Sequence, residues 1–140
     1  MYQLTLLLIA MSATSMGLLI SPVTKHLIRN RIVYLKRDDL NTYQGISGNK
    51  VRKLWHLIER IQKKSCPQSI VSFGGYQSNA MLALSQLAHH SRQSFGTDCQ
   101  LTYLCPKIPN HILSNPVGNL KAALALGMKV LYGTRISVVI

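Results

Sequence analysis

The chain has 140 residues, of which 47% are hydrophobic and 14% are charged, so its composition is that of a folded protein of one domain or less. Sixteen Lys and Arg against four Asp and Glu give a formal net charge of +12, which favours an anionic partner such as nucleic acid, an anionic membrane or an acidic small molecule. The shortage of carboxylates disfavours two-carboxylate hydrolysis and carboxylate-rich magnesium or calcium sites.

The N-terminal stretch Leu4–Ile20 is apolar, and no Lys or Arg precedes Lys25. It is at the lower length limit for spanning a bilayer, and a signal peptide normally carries a positive region before its apolar part. We therefore interpret residues 1–20 as an apolar leader or a mis-assigned start, with Met16 as the alternative start. A membrane role is not expected.

The next segments predict a strand, a loop and a helix. Arg31–Lys36 has the β-branched and aromatic content of a strand, and the polar turn Arg37–Asp39 follows it. A loop with two glycines and two asparagines spans Asn41–Asn49. Val51–Lys64 carries apolar residues at spacings of three, four and seven, which predicts an amphipathic helix with a basic, solvated face.

The remaining predicted elements alternate between strand and helix. They are the strand Ser69–Phe73, the helix Ala80–His90, the strand Leu101–Cys105, the helix Leu120–Leu126 and the strand Lys129–Tyr132. A Pro-rich loop follows the third strand, and Gly127 ends the last helix. The order β-α-β-α-β-α-β predicts an α/β fold with an open, mostly parallel sheet, flanking helices and right-handed crossovers.

The three cysteines are odd in number and do not form CxxC pairs, a pattern that is typical of reduced thiols in an intracellular protein. The five histidines do not stand at zinc-ligand spacing with these cysteines. We therefore expect no metal site and a cytoplasmic location.

Lys50 is the first candidate for chemistry. It follows Ser-Gly-Asn at the start of the predicted helix, where unpaired N–H groups and the positive end of the helix dipole disfavour a second positive charge. A neutral amine is what Schiff-base chemistry with an aldehyde cofactor or a carbonyl substrate needs. From position alone, a solvated surface lysine is the alternative.

Ser78 and Asn79 are the second candidate, because they follow a strand and two glycines at a predicted helix N-terminus. Backbone donors, a hydroxyl and an amide at this place suit an anion. The alternative is an ordinary N-cap that satisfies the helix's own donors. Gly74 and Gly75 form neither GxGxxG nor a Walker A motif, so a nucleotide site is not indicated.

Five segments, read together, carry a family resemblance. They are Ser21–Lys25 (SPVTK), Tyr34–Leu40 (YLKRDDL), Ser47–Leu54 (SGNKVRKL), Gly74–Asn79 (GGYQSN) and Asn115–Leu120 (NPVGNL). From Ser21 to about Val130, the chain resembles the 1-aminocyclopropane-1-carboxylate deaminase and D-cysteine desulfhydrase family of pyridoxal-phosphate enzymes. The resemblance implies the N-terminal part of a two-domain, tryptophan-synthase-β-like (fold type II) structure.

The resemblance also implies roles for four residues. Lys50 is similar to the lysine that holds pyridoxal 5′-phosphate as a Schiff base and moves protons. Ser78 resembles the serine at the substrate face, a nucleophile or carboxylate contact, and Asn79 resembles the asparagine beside the cofactor and the substrate carboxylate. Gln77 is expected to shape the same loop and bind substrate. The implied reaction degrades a small amino acid and releases ammonia and a 2-oxo acid.

The chain departs from the family pattern in two places. Ala80-Met81-Leu82 stands where family members often carry His-Ala-Arg or similar. The family's phosphate cradle lies in its C-terminal part, and the tail 133–140 contains no such glycine- and threonine-rich segment. One alternative is therefore a truncated, non-catalytic fragment that associates with a missing C-terminal half. The family also tends to form dimers.

A basic nucleic-acid-binding module is the weaker alternative. Its support is the basic run on the helix Val51–Lys64, but only 6% of the residues are aromatic and the other face of this helix is apolar. We therefore expect a solvated face and no nucleic-acid partner.

Overall fold

The computed structural model describes residues 21–65 and 67–133, and the chain divides into two compact units. The first unit runs to Trp55, and the second starts at His56. The interpretations of residues 1–20 and of most of the tail 133–140 lie outside the described residues. No helix within the described ranges is long and apolar enough to cross a bilayer.

The described part of the first unit begins with a hairpin. The strand predicted at Arg31–Lys36 is confirmed as β2, and it pairs antiparallel with β1 (Val23–Ile28), which the sequence pattern does not predict. Arg29 and Asn30 form the turn with φ of 47° and 61°, the mirror-image geometry that matches strand twist. These two strands form a separate two-stranded sheet, so the prediction that Arg31–Lys36 joins the parallel sheet is wrong.

The predicted loop before Lys50 contains regular structure. Its elements are the 3-10 turn Asp38–Leu40, β3 (Thr42–Tyr43) and β4 (Ile46–Ser47), and α1 (Asn49–Lys53) follows. Gln44 and Gly45 close the β3–β4 hairpin with φ of 47° and 82°. The hairpin therefore leads the chain directly into the short helix that carries Lys50.

The helix predicted at Val51–Lys64 is divided in two. Leu54, with φ of −98° and ψ of 10°, ends α1, and its N–H bonds the carbonyl oxygen of Lys50 at 2.9 Å. The second part is α2 (Trp55–Gln62), and Lys64, two residues after its end, has a φ of 56°. The prediction of one continuous helix is therefore wrong, because Leu54 leaves the helical conformation.

Residues 67–133 contain a three-stranded parallel sheet in the order β5-β6-β7. The strands are β5 (Ser69–Phe73), β6 (Gln100–Cys105) and β7 (Lys129–Tyr132). These bounds confirm the three predicted strands, with β6 starting one residue earlier than expected. The chain is thus mixed α/β with a parallel sheet and flanking helices, and the sheet has three described strands instead of four.

Three helices lie between these strands. They are α3 (Asn79–Phe95), α4 (Asn110–Ser114) and α5 (Gly118–Ala125). The α3 helix continues five residues past the predicted end at His90 and stops at Gly96, whose φ is 63°. The polar Ser91 is fully buried and shares a 2.7 Å hydrogen bond with Thr97, an internal contact that hydrophobic periodicity does not reveal. The α4 helix lies within the predicted Pro-rich loop.

The parallel sheet has one buried and one open face. On the buried face, Leu101 and Tyr103 are each 1% exposed, and α3 packs against β5 and β6. The opposite side chains form the open face, where Phe73 is 81% exposed; its apolar members are Val71, Phe73, Leu104 and Leu131. The helix α3 also packs against α5, which belongs to the second connection of the sheet.

Candidate functional site

A glycine loop follows β5 at the carboxyl end of the parallel sheet, the edge where open α/β sheets bind ligands. The N–H of Gly74 continues the β5–β6 ladder by donating to Leu104 O at 3.0 Å. A Cβ at Gly74, whose φ is 152°, would collide with the hydroxyl of Tyr103. Glycine therefore lets the chain leave the sheet close to β6.

Ser78 is the N-cap of α3, as one of the two interpretations of the sequence expects. Its Oγ accepts hydrogen bonds from the N–H groups of Ala80 at 3.2 Å and Met81 at 3.4 Å. Both bonds use the oxygen as acceptor, so the hydroxyl proton is available to donate. Ser78 is half-buried, and no described histidine or carboxylate is bonded to its hydroxyl.

Gln77 connects this loop to the start of α5. Its Nε2 donates to Val117 O at 3.0 Å, and its Oε1 accepts from the N–H of Asn119 at 2.9 Å. Val117, the N-cap of α5, makes no side-chain cap of its own, so Gln77 supplies one. A Cβ at Gly118 would lie 2.6 Å from Gln77 Oε1. The carboxamide of Gln77 therefore ties the loop to the start of α5.

Asn119 joins the loop to Asn79. Its Nδ2 donates to Gln77 O at 2.9 Å and to Asn79 Oδ1 at 2.8 Å. Asn119 belongs to the fifth segment of the resemblance, but no role is predicted for it from the sequence. The only sequence signal is that segment, because the contact spans 40 residues of chain.

Lys50 lies in the first turn of α1, in the first unit, and is half-buried. Its Nζ donates to Asn49 Oδ1 at 3.0 Å. Among residues 21–65 and 67–133, no carboxylate forms an ion pair with this amine. The described partner of the Lys50 amine is thus a neutral amide.

Asp38 holds α1 in place. Its carboxylate accepts from the Ser21 hydroxyl and from Arg52, whose Nη2 lies 2.7 Å from Oδ2. Asn41 Nδ2 donates to Ser21 Oγ at 3.0 Å and extends the network. The Ser21 hydrogen bond, followed by that of Arg52, holds the pKa of Asp38 below its ordinary value. The first three segments of the resemblance therefore meet at one carboxylate.

The other candidate groups form no recognisable site. In the part of the chain that the structure describes, no three His, Cys, Asp or Glu side chains are grouped to hold a metal ion. Cys105 is fully buried, and burial raises the pKa of its thiol. A buried thiol with a raised pKa suits packing better than nucleophilic chemistry.

The fold and this geometry define an α/β protein with a polar helix N-terminus at the carboxyl end of its parallel sheet. Gln77, Ser78, Asn79 and Asn119 come together in the second unit, whereas Lys50 belongs to the first. No protein-family model matches the chain. The family resemblance therefore rests on the five sequence segments.

Proposed function

We propose that the chain belongs to a pyridoxal-phosphate-dependent deaminase or lyase that acts on a small amino acid, of the 1-aminocyclopropane-1-carboxylate or D-cysteine type. The observation that carries the proposal is the loop Gln77-Ser78-Asn79. This loop lies at the N-terminus of α3 and is hydrogen-bonded to Asn119. This loop offers the hydroxyl of Ser78 and the side-chain amide of Asn79 as neutral donors to a carboxylate. The resemblance supplies the reaction type.

The donor set of the described chain fits the carbonyl and carboxylate groups of such ligands. Lys50 offers a primary amine whose described partner is a neutral amide, and Ser78 offers a hydroxyl proton beside a helix N-terminus. The described residues contain no glycine- and threonine-rich phosphate cradle, so we assign no phosphate contacts. When bound, pyridoxal 5′-phosphate supplies the electron sink for breaking bonds at the amino-acid Cα.

The proposed roles combine these contacts with the family resemblance. By the resemblance, Lys50 would hold the cofactor aldehyde through its amine and would be the group that moves protons. Ser78 donates its O–H to the substrate carboxylate; this role fits better than that of a nucleophile, because two backbone N–H groups already engage its oxygen. Asn79 binds the same carboxylate through its amide, and Gln77 holds the loop against α5.

A second candidate is a chain of the same type that is inactive by itself and needs a further protein layer over its sheet for activity. The observation that favours it is the open face, where Phe73 is 81% and Val71 is 65% exposed. Parallel sheets are normally covered on both faces, and contiguous exposed apolar surface marks interaction sites. A cytoplasmic location and dimer formation also stay predictions.

The proposal is tested by mixing the full chain with pyridoxal 5′-phosphate and recording its absorbance. We expect a shift to longer wavelength in the wild type and in Lys53→Arg, a control on the same helix, but not in Lys50→Arg. A shift that survives in Lys50→Arg would contradict the role of Lys50. Ammonia release from the amino acid then separates the enzyme from the non-catalytic candidate.

The alternative function, nucleic-acid binding, is tested by measuring affinity for DNA or RNA alongside the absorbance experiment. A steep, salt-dependent affinity for DNA or RNA, together with no Lys50-dependent absorbance shift, would favour a basic binding module over the proposed function.

A further inference from the structure

We infer that Asn119 is a positioning residue that fixes the orientation of the Asn79 carboxamide, with Asn79 Oδ1 held by Asn119 and Asn79 Nδ2 left to donate to a ligand. The identity of that ligand, an amino-acid carboxylate, rests on the proposed function. The orientation itself rests only on the contacts of Asn119.

A backbone carbonyl determines which atom of Asn119 makes these contacts. One terminal atom of the Asn119 side chain lies 2.9 Å from Gln77 O and 2.8 Å from the side chain of Asn79. A carbonyl oxygen only accepts hydrogen bonds, so the Asn119 atom that it meets is the donor Nδ2. The Asn79 atom bonded to the same donor must therefore be the acceptor Oδ1. The Gln77 carbonyl oxygen thus determines the orientation of both side-chain amides.

Asn119 is better anchored than Asn79 and so sets the orientation of the pair. The Asn119 backbone N–H donates to Gln77 Oε1 at 2.9 Å, and the next residue, Leu120, is 1% exposed. Asn79 is exposed, and its described side-chain bond is the one to Asn119. Without Asn119, the Asn79 amide would be able to turn either end toward a ligand.

The fixed orientation selects the chemistry of the ligand. Asn79 Nδ2 has no described partner within residues 21–65 and 67–133, and it belongs to the first residue of α3. Helix N-termini carry a partial positive charge, so an outward NH₂ group adds a donor where an anion is already favoured. The reversed amide would present an oxygen and repel a carboxylate.

The test measures hydrogen exchange of side-chain amide protons by NMR on the ¹⁵N-labelled full chain. In the wild type, we expect slow exchange for Asn119 Nδ2 protons and fast exchange for Asn79 Nδ2 protons. In Asn119→Asp, the new carboxylate only accepts, so Asn79 turns its Nδ2 toward residue 119. The Asn79 protons should then exchange about tenfold more slowly, the effect of one hydrogen bond.

Two control variants separate orientation from loosening of the loop. Asn119→Ala offers no acceptor, so the Asn79 protons should stay unprotected. Asn115→Asp adds the same charge at an exposed position of the same segment and should change nothing. Protected Asn79 protons in the wild type, or the same Asn79 exchange in Asn119→Asp and Asn119→Ala, would overturn the inference.

The two proposals fail separately. Slower exchange of the Asn79 side-chain protons in Asn119→Asp, without a Lys50-dependent absorbance shift, would defeat the proposed function and support the role of Asn119. A Lys50-dependent absorbance shift without slower Asn79 exchange in Asn119→Asp would support the proposed function and overturn the role of Asn119.

Discussion

Asp38 receives hydrogen bonds from residues on both sides of it in the sequence, Ser21 and Arg52. Lys36 adds a longer ion pair, with Nζ 3.5 Å from Oδ1. The carboxylate thereby connects the start of the first hairpin to α1, the helix of Lys50. Its contribution to stability must depend on its ionisation, because both partners bond the charged form.

The stability of the first unit should fall in acid. Hydrogen bonds from Ser21 and then Arg52 lower the pKa of Asp38 in the folded state, so the unfolded carboxyl, with a pKa of about 3.9, is protonated first. The stabilisation is complete above that unfolded value and is lost as the pH falls through the folded pKa. Urea unfolding from about pH 6 to about pH 2, followed by Trp55 fluorescence, measures this loss.

Asp38→Asn should be less stable than the wild type near neutral pH and should lose less stability in acid. Asp98→Asn removes an exposed carboxylate of the second unit and is the control. An acid sensitivity that is unchanged in Asp38→Asn would contradict the role of the network.

The site residues differ in how far the sequence predicts them. Ser78 could be predicted as an N-cap because its signal is local: a strand, two glycines and a polar residue before an apolar run. Asn119 could not be predicted, because its partners Gln77 and Asn79 are about 40 residues away and meet it only through the β6 crossover. An N-cap can be predicted from its neighbours in the sequence, whereas a contact between two distant loops can be predicted only when the topology is known.

Among the elements, α3 is held to both of its neighbours by Arg92. Its Nη1 donates to Cys99 O, just before β6, and its Nη2 donates to Leu126 O, at the end of α5, each at 2.5 Å. A Cβ at Gly127 would lie 3.0 Å from Nη2, so this glycine leaves room for the guanidinium. One side chain therefore satisfies carbonyls in two connecting segments.

Arg92→Met should lower the free energy of unfolding of the second unit by about 2 kcal/mol, because two half-buried carbonyls lose a charged donor. Arg60→Met removes the same charge from an exposed position of α2 and should change stability by less than about 0.5 kcal/mol. Thermal or urea unfolding measures both. Equal effects of the two substitutions would show that charge, not the two hydrogen bonds, is responsible.

Substitutions on the two faces of the parallel sheet should differ in their effects on the unfolding free energy and on self-association. Phe73→Ser, on the open face, should change the unfolding free energy by less than about 0.5 kcal/mol while reducing self-association and binding of an apolar dye. Leu101→Ala, on the buried face, should cost about 2 to 5 kcal/mol. A comparable loss of stability in Phe73→Ser would mean that the open face is covered.

The bounds of an element can be predicted where its sequence pattern is strong, but the element that it pairs with cannot. The strand Arg31–Lys36 has the predicted bounds, but its pairing with β1 depends on the turn Arg29–Asn30, which lacks the usual glycine. Similarly, hydrophobic spacing identifies the helical region after Lys50 but not the break at Leu54, a residue with high helix propensity. In both places tertiary context overrides the local preference.

At the scale of the whole molecule, the positive charge is shared equally between the two units. Each unit carries eight Lys and Arg and two Asp and Glu in its sequence, so the excess of positive charge is not confined to one of them. The α/β class and the parallel sheet could be predicted from the order of elements, but the division at Trp55 could not, because no linker composition marks it.

The attachment site of pyridoxal 5′-phosphate is the most direct test of the proposed function. The full chain is mixed with the cofactor and reduced with borohydride, which converts the bond between a lysine amine and the cofactor aldehyde into a stable secondary amine. Proteolytic peptides are then mapped by mass spectrometry. We predict that the label is concentrated on Lys50, exceeds that on the neighbouring Lys53 and disappears in Lys50→Arg. A label spread evenly over the lysines, or absent from Lys50, would contradict the proposed function.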